Sequence, residues 1–269
     1  MTSSRHFDHI VLTVDSLAAA AADYEALGFT LTPLARHPDH MGSSNRLAQF
    51  ANQSFVEILE IDRPETCRPH GDRFFSFGQH AQNFLKDGEG MAMLVFAGAD
   101  APGDAARFAE AGFGDFEPFD FGRKATLPDG HQVEVAFSLA YALPAGMGRS
   151  GFFTCHNKFP ENFWKPAFQV HENGATGMVA VYLALEDPAA LAADLGVLTG
   201  SEPVVIEGGL SLACGAGQTL FALTPVRLAE ITGLPAPAAP GFAGIGLAGM
   251  SGEIVAPEAA HGIFVMPQA

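Results

Sequence analysis

The apolar positions of this chain fall into short runs of strand length, interrupted by one alanine-rich helical stretch at a time. Residues 7–14, FDHIVLTV, form a β-branched run of the kind that fills a buried strand. Asp15 or Ser16 can cap the helix that follows, DSLAAAAADYEALG, and Gly28 ends it. Phe29 opens another extended stretch, and residues 47–51 and 54–62 read as two further strands. The unit is a strand, a helix and three strands. The same order returns near Met91: MAMLVFAG is the strand, and APGDAARFAEAG is the helix, closing at Gly112-Phe113 as the first closes at Gly28-Phe29. FEPFDFGRKATL and QVEVAFSLAYAL supply its strands, with Pro128-Asp129-Gly130 as the turn. A third copy runs VAVYLAL, DPAALAADLG, EPVVIE, LSLACG and QTLFALT. Asp15, Asp100 and Asp187 mark equivalent strand ends, about 85 residues apart. A fourth copy is truncated to GFAGIGLAG, GEIVAP and HGIFVMP, with no helix between, after the linker LPAPAAP at 234–240.

No such unit can bury a sheet face alone, so the units must pair. The predicted fold is α+β, with repeated βαβββ modules paired into cupped mixed sheets and the helices outside. Modules 1–62 and 90–145 make a first half, residues 1–145. Module 176–225 and the truncated module 241–269 make a second half, residues 176–269. Residues 146–175 read as an aromatic-rich linker, with Phe152, Phe153, Phe159, Phe163, Trp164 and Phe168. A linker that apolar should lie against the protein.

Composition narrows the partners. Hydrophobic residues make up 48% of the 269, which excludes disorder as the dominant state. With 14 Lys+Arg against 30 Asp+Glu, the net charge is −16, which argues against nucleic acid and anionic membrane surfaces as partners. No apolar stretch has the length of a membrane span, and the N-terminal segment has no signal-peptide pattern. Three cysteines without CxxC spacing suit a reducing, cytoplasmic compartment. A four-unit chain can close both halves internally, so a monomer and a homodimer both fit.

The repeat, with DHIVLTV at its start, FVEILEI closing the first unit and LPDGHQVEV closing the second, resembles the vicinal oxygen chelate superfamily. That superfamily includes glyoxalase I, extradiol dioxygenases, methylmalonyl-CoA epimerase and bleomycin-resistance proteins. More narrowly, GSSNRLAQFANQSFVEILEI together with HENGATGM looks like its glyoxalase-like bacterial proteins. The resemblance covers nearly the whole chain. It implies a fold more than a reaction, because this scaffold carries many chemistries.

In metal-dependent members the first strand of a unit gives a His or Gln and the last gives a Glu. The resemblance carries those roles to His9, Glu57 and Glu134. Strand parity bears on each of them. Glu134 shares a face with Gln132, Ala136 and Ser138, a small polar face suited to a cavity. Val133, Val135 and Phe137 make a bulky face suited to packing under helices. His9 shows a weaker version of the same split, and Glu57 has apolar neighbours on both faces. The second unit's first strand, Met91 to Ala97, offers no fourth ligand. Three ligands and open positions would take a divalent metal such as Zn, Mn, Fe, Ni or Mg. The same three side chains could instead hydrogen-bond backbone or arginine in a scaffold without metal.

His37 and His40 form a His-x-x-His pair within the polar segment ARHPDHMGSSN, a spacing that can bind metal and is more often simply loop. Asn45, His156, Trp164 and His171 are candidates for a ligand pocket, supplying stacking surface and polar contacts. The linker residues among them could equally form a packed plug. The resemblance implies a metal-assisted lyase or isomerase acting on a small oxygenated molecule, with Glu57 or Glu134 as the base. One alternative is a metal-free protein that binds or sequesters a small molecule, of the bleomycin-resistance type. A second is an extradiol-type dioxygenase.

Overall fold

The structure, a computed structural model, describes residues 4–126 and 132–268; the expected Pro128-Asp129-Gly130 turn lies outside them. The first unit comprises β1 (Phe7–Thr13), α1 (Leu17–Ala26), β2 (Ala35–Arg36), β3 (Ser44–Gln49) and β4 (Phe55–Glu60). Ser16 caps α1 by accepting from the Ala19 amide. A helix absent from the periodic reading, α2 (Phe77–Leu85), precedes the second unit. That unit is β5 (Gly90–Ala97), α3 (Ala101–Glu110), β6 (Phe119–Thr126), β7 (Gln132–Ala142) and β8 (Gly151–Asn157). A single turn, α4 (Pro160–Phe163), leads on to β9 (Gly177–Ala184) and α5 (Ala192–Thr199). The third unit then continues through β10 (Val204–Ile206), β11 (Gly209–Ala213) and β12 (Thr219–Leu223). After α6 (Pro225–Thr232) come β13 (Gly241–Ala248) and β14 (Phe264–Gln268), the truncated fourth unit.

The strands form two mixed sheets, ordered β2-β3-β4-β1-β5-β8-β7-β6 and β10-β11-β12-β9-β13-β14. In the first, β1 and β5 run antiparallel at the centre, and each has its closing strand parallel beside it, β4 and β8. The second repeats this arrangement with β9 and β13 flanked by β12 and β14. The expected boundary at residue 145 is therefore corrected. The strand that closes the second unit is β8, inside the stretch expected as linker. The reason is visible in its side chains: Phe152 and Phe153 are buried as sheet core rather than laid on a surface. QVEVAFSLAYAL is the unit's third strand, paired antiparallel with both β6 and β8.

Strand parity divides the core. The helix-facing side chains of both sheets join one continuous cluster that includes Ile10, Phe96 and Phe152 from the first sheet and Val181 and Ile245 from the second. Tyr24 of α1, Phe108 of α3 and Leu195 of α5 pack into the same cluster. The opposite face of each sheet is the inside of its cup. In the first cup, Val11, Val95, Tyr141 and Phe153 meet Phe77 and Phe84 of α2. In the second, Tyr182, Ala184 and Phe264 meet Leu228 of α6. Gln218 fastens the halves, accepting from the Phe7 amide at 2.6 Å and donating to the Met178 carbonyl at 3.0 Å. Among the described residues, no helix is long and apolar enough to cross a membrane.

His80 on α2 carries a measurable cost of this packing. Its Nε2 is sealed from solvent without a partner. Burial lowers its pKa from 6.5 to about 4, against a smaller opposing effect of the Ala92 backbone. As the pH falls through that interval, the unfolded chain binds a proton that the native chain refuses. Stability is thus full above pH 6.5 and falls as the pH drops toward about 4. Urea midpoints should decline more steeply with acid in the wild type than in His80→Leu. Parallel declines would show that another group governs the acid limb.

Candidate functional site

The first cup holds a cavity of about 320 Å³. Phe55 (β4), Phe77 (α2), Phe121 (β6), Phe137 (β7), Phe153 (β8) and Phe163 (α4) make most of its wall. Its polar end is built by His9, His37, Asn45 and Glu57. The sheet order explains the convergence. Glu57 on β4 stands opposite Val11 of β1 and Leu47 of β3, so His9 and Asn45 are its diagonal neighbours on the same face. The two-residue strand β2 pairs Ala35 with Asn45, which brings His37 in from the segment just after it.

The Glu57 side chain is only 6% exposed. Asn45 donates from Nδ2 to Glu57 Oε1 at 2.5 Å. His9 Nε2 lies 3.6 Å from Glu57 Oε2, and His37 Nε2 lies 3.6 Å from Oε1. Both imidazoles are anchored through the other nitrogen. His9 Nδ1 donates to the Asp8 carboxylate at 2.5 Å, and His37 Nδ1 meets the Ser43 hydroxyl at 2.8 Å. A carboxylate can only accept, so the Nδ1 of His9 carries a proton and its neutral form turns a lone pair toward Glu57. Two lone-pair groups aimed at a shared space make a place for a proton or a cation.

Among the described residues no group of three or more His, Cys, Asp or Glu side chains converges closely enough to hold a metal ion. The donor set is nonetheless of the right kind for a borderline divalent ion, with two imidazoles and a carboxylate whose outer nitrogens are already fixed. Asn45 Oδ1 is buried without a partner, so the amide at this end has hydrogen-bonding capacity to spare. Cys155 adds a thiol to the wall, kept protonated by burial and by the negative charges of Asp8 and Glu57.

The structure thus brings His9, Glu57 and Asn45 together, and it brings His37 to them. Glu134 is elsewhere. It is exposed, its backbone carbonyl accepts from Asn162, and its strand presents Val135, Phe137 and Leu139 to the cavity instead. The parity expectation for this strand is therefore reversed. The small face of β7, Ala136, Ser138 and Ala140, lets α3 approach closely, with Phe108 of the helix supplying the bulk, and the bulky face lines an apolar cavity. Glu57 has apolar neighbours on its cavity face for the same reason. His156 follows Cys155 on β8 and lies outside the cavity lining, opposite Ser138. His171 also lies outside it. Its Nδ1 accepts from the Thr30 amide, its Nε2 donates to the Gln49 carbonyl, and burial lowers its pKa. Trp164 stands one ring back from the wall, edge-on to Phe55 and Phe163. His40 is exposed and packs beside Phe119. The sequence reading missed the Asp8 anchor, although an acidic residue next to a strand histidine was in plain view. It also missed the six phenylalanines as one wall, because they are scattered over 109 positions of chain.

Comparison with known proteins follows the same lines. A family profile described as a glyoxalase-like domain matches residues 7–199. No curated protein matches. A hypothetical protein from Staphylococcus aureus is similar in structure over 97% of this chain and 98% of its own, with a TM-score of 0.70 and 11% identity. At that identity the similarity shows the fold alone. The Mn(II)-bound glyoxalase from Novosphingobium aromaticivorans aligns over 92% of this chain and 66% of its own, at 12% identity and a TM-score of 0.47. Streptomyces coelicolor methylmalonyl-CoA epimerase aligns over 58% of this chain and 99% of its own, at 16% identity and a TM-score of 0.38. The profile covers well over half of the chain, through both units of the first sheet and into the second, and the chain belongs to the glyoxalase-like domain family.

Proposed function

We propose that this protein is a lyase or isomerase that moves a proton at the carbon beside a carbonyl group of a small, largely apolar molecule, with Glu57 as the base. The observation that carries this reading is the Glu57 carboxylate itself, buried at the end of an apolar cavity between two anchored imidazoles. Asn45 occupies Oε1, which leaves Oε2 as the oxygen free to take a proton. As the C–H bond breaks, its electron pair moves toward the carbonyl oxygen and the proton passes to Glu57. Asp8 and Ser43 hold the two imidazoles still while charge develops beside them. The apolar walls keep water from the carboxylate. His9, His37 and Glu57 would have to draw together from their present spacing to hold a divalent metal, and such an ion would polarise the carbonyl as a Lewis acid.

Elemental analysis of the untagged protein, repeated on His9→Ala, tests the metal. Stoichiometric metal in the wild type, lost by at least tenfold in affinity in the variant, is the expected result. Proton movement is tested by the rate at which hydroxyacetone and 2-hydroxyacetophenone exchange their C–H hydrogens with heavy water. Acceleration of neither compound by the metal-supplemented protein would overturn the assignment. A second reading, a metal-free binding protein, draws on the apolar wall and on the spacing of the donors, none of which converge as a group of three among the described residues. It requires ligand affinity that survives EDTA together with an exchange rate equal to that in buffer.

A further inference from the structure

The geometry points to a substrate class: we infer that the cavity accepts a neutral molecule bearing one aromatic ring, seated ring-first among the phenylalanines with its carbonyl toward Glu57. The inference rests on the assignment of this cavity as the reaction site. Its first support is the wall. Phe121 and Phe137 are tilted against one another at 5.2 Å, Phe137 and Phe163 stand edge to face at 5.8 Å, and Phe55 and Phe163 meet at 5.3 Å. Phe77 stands edge to face with Phe153 at 6.4 Å. The imidazoles continue the enclosure. His9 is stacked on Phe55 at 4.2 Å, and His37 is edge-on to Phe121 at 5.7 Å. Rings in such tilted and edge arrangements offer both faces and edges to a guest ring, a match that an aliphatic guest of equal size cannot reproduce.

Size and charge narrow the class further. A space of about 320 Å³ lies at the small end of ligand pockets, which suits a single ring with a short side chain. Glu57 faces the cavity and Asp8 stands directly behind His9, so an anionic head group at the polar end would be repelled. Among the described residues of the lining the one Lys or Arg, Arg36, is at the rim, its side chain 65% exposed and 3.9 Å from Asp62. With no metal bound, the deep end is therefore built for a neutral oxygen, because no Lys or Arg among the described residues of the lining reaches it.

Acetophenone and cyclohexyl methyl ketone isolate the ring, since they share the carbonyl and nearly the same size. Dissociation constants from ligand-observed NMR titration should favour acetophenone by about threefold to tenfold in the wild type. Phe137→Leu and, separately, Phe163→Leu should each erase most of that preference, the second from a helical turn outside the sheet. With EDTA present, benzoylformate, which adds a carboxylate, should bind more weakly than acetophenone. Equal binding of the two ketones, preference for the cyclohexyl compound, tighter binding of benzoylformate, or no saturable binding of either ketone would each overturn the inference. The ring preference should persist in Glu57→Gln. Preference without proton exchange in the wild type would leave the aromatic site standing and remove the reaction, and exchange without preference would do the reverse.

Discussion

Glu57→Gln should slow carbonyl-adjacent proton exchange by roughly 10²–10⁴-fold while leaving the chain folded, with a urea midpoint close to that of the wild type. Glutamine is nearly isosteric with glutamate, and its amide oxygen still accepts the hydrogen bond that Asn45 gives to Oε1. What disappears is the basic oxygen at Oε2 and the negative charge that faces His9 and His37. A neutral amide is also cheaper to bury than a carboxylate, so no loss of stability offsets the reading of the kinetics. Glu134→Gln is the matched control, on an exposed side chain outside the cavity lining, and should keep the wild-type rate. If Glu57→Gln retained full activity, the base would have to be sought among the imidazoles. If both variants lost it, the exposed end of β7 would contribute in a way that the described contacts do not explain.

The largest expected effect on stability belongs to Phe152→Ala, at about 3–5 kcal/mol. The ring is wholly buried on β8, lies nearly parallel to Phe96 with centroids 6.5 Å apart, and meets Phe242 of the second sheet edge-on at 5.3 Å. Its removal opens a void among the packed side chains where the two sheets share a core. Chemical denaturation should show the loss as a lower midpoint, in proportion to a total stability that is typically only about 5–15 kcal/mol. A change below about 1 kcal/mol would mean that the halves separate easily at this point and that the shared core is not cooperative. Had residues 146–175 been a surface-bound linker, the same substitution would have been nearly silent.

That contrast marks where the sequence could be read and where it could not. The repeated order of strand, helix and strands was legible because local periodicity and capping residues report on local structure. Asp100, one of the residues that mark the strand ends, caps α3 by accepting from the Gly103 amide. Pairing between distant strands leaves no such local mark. GFFTC shows no alternation of apolar and polar positions, and a fully buried strand of that kind looks like any other apolar segment until its neighbours are known. The helices α2 and α6 escaped for a related reason: they lie between the repeats, so self-similarity said nothing about them. In the site, His9 could be found from its place on the first strand. His37 could not be told from His40 by spacing, because β2, only two residues long, decides which of them turns inward. Glu134 was carried into the site by the family resemblance and supported there by a face of small side chains, and that face owes its smallness to a helix.

The two halves share one strand plan, yet α6 fills the second cup. Leu228 is 1% exposed, packed with Leu223, Ala184 and Phe264 on the inside of the second cup. On the proposed function, the repeated plan gives one half the site and makes the other a buttress. The buttress holds the outer face of the working sheet through the shared core, so the floor under His9 and Glu57 is stiffened from behind by residues that never approach a ligand. Substitutions deep in the second half can therefore loosen the site without touching it, and saturation is expected at one ligand per chain rather than two.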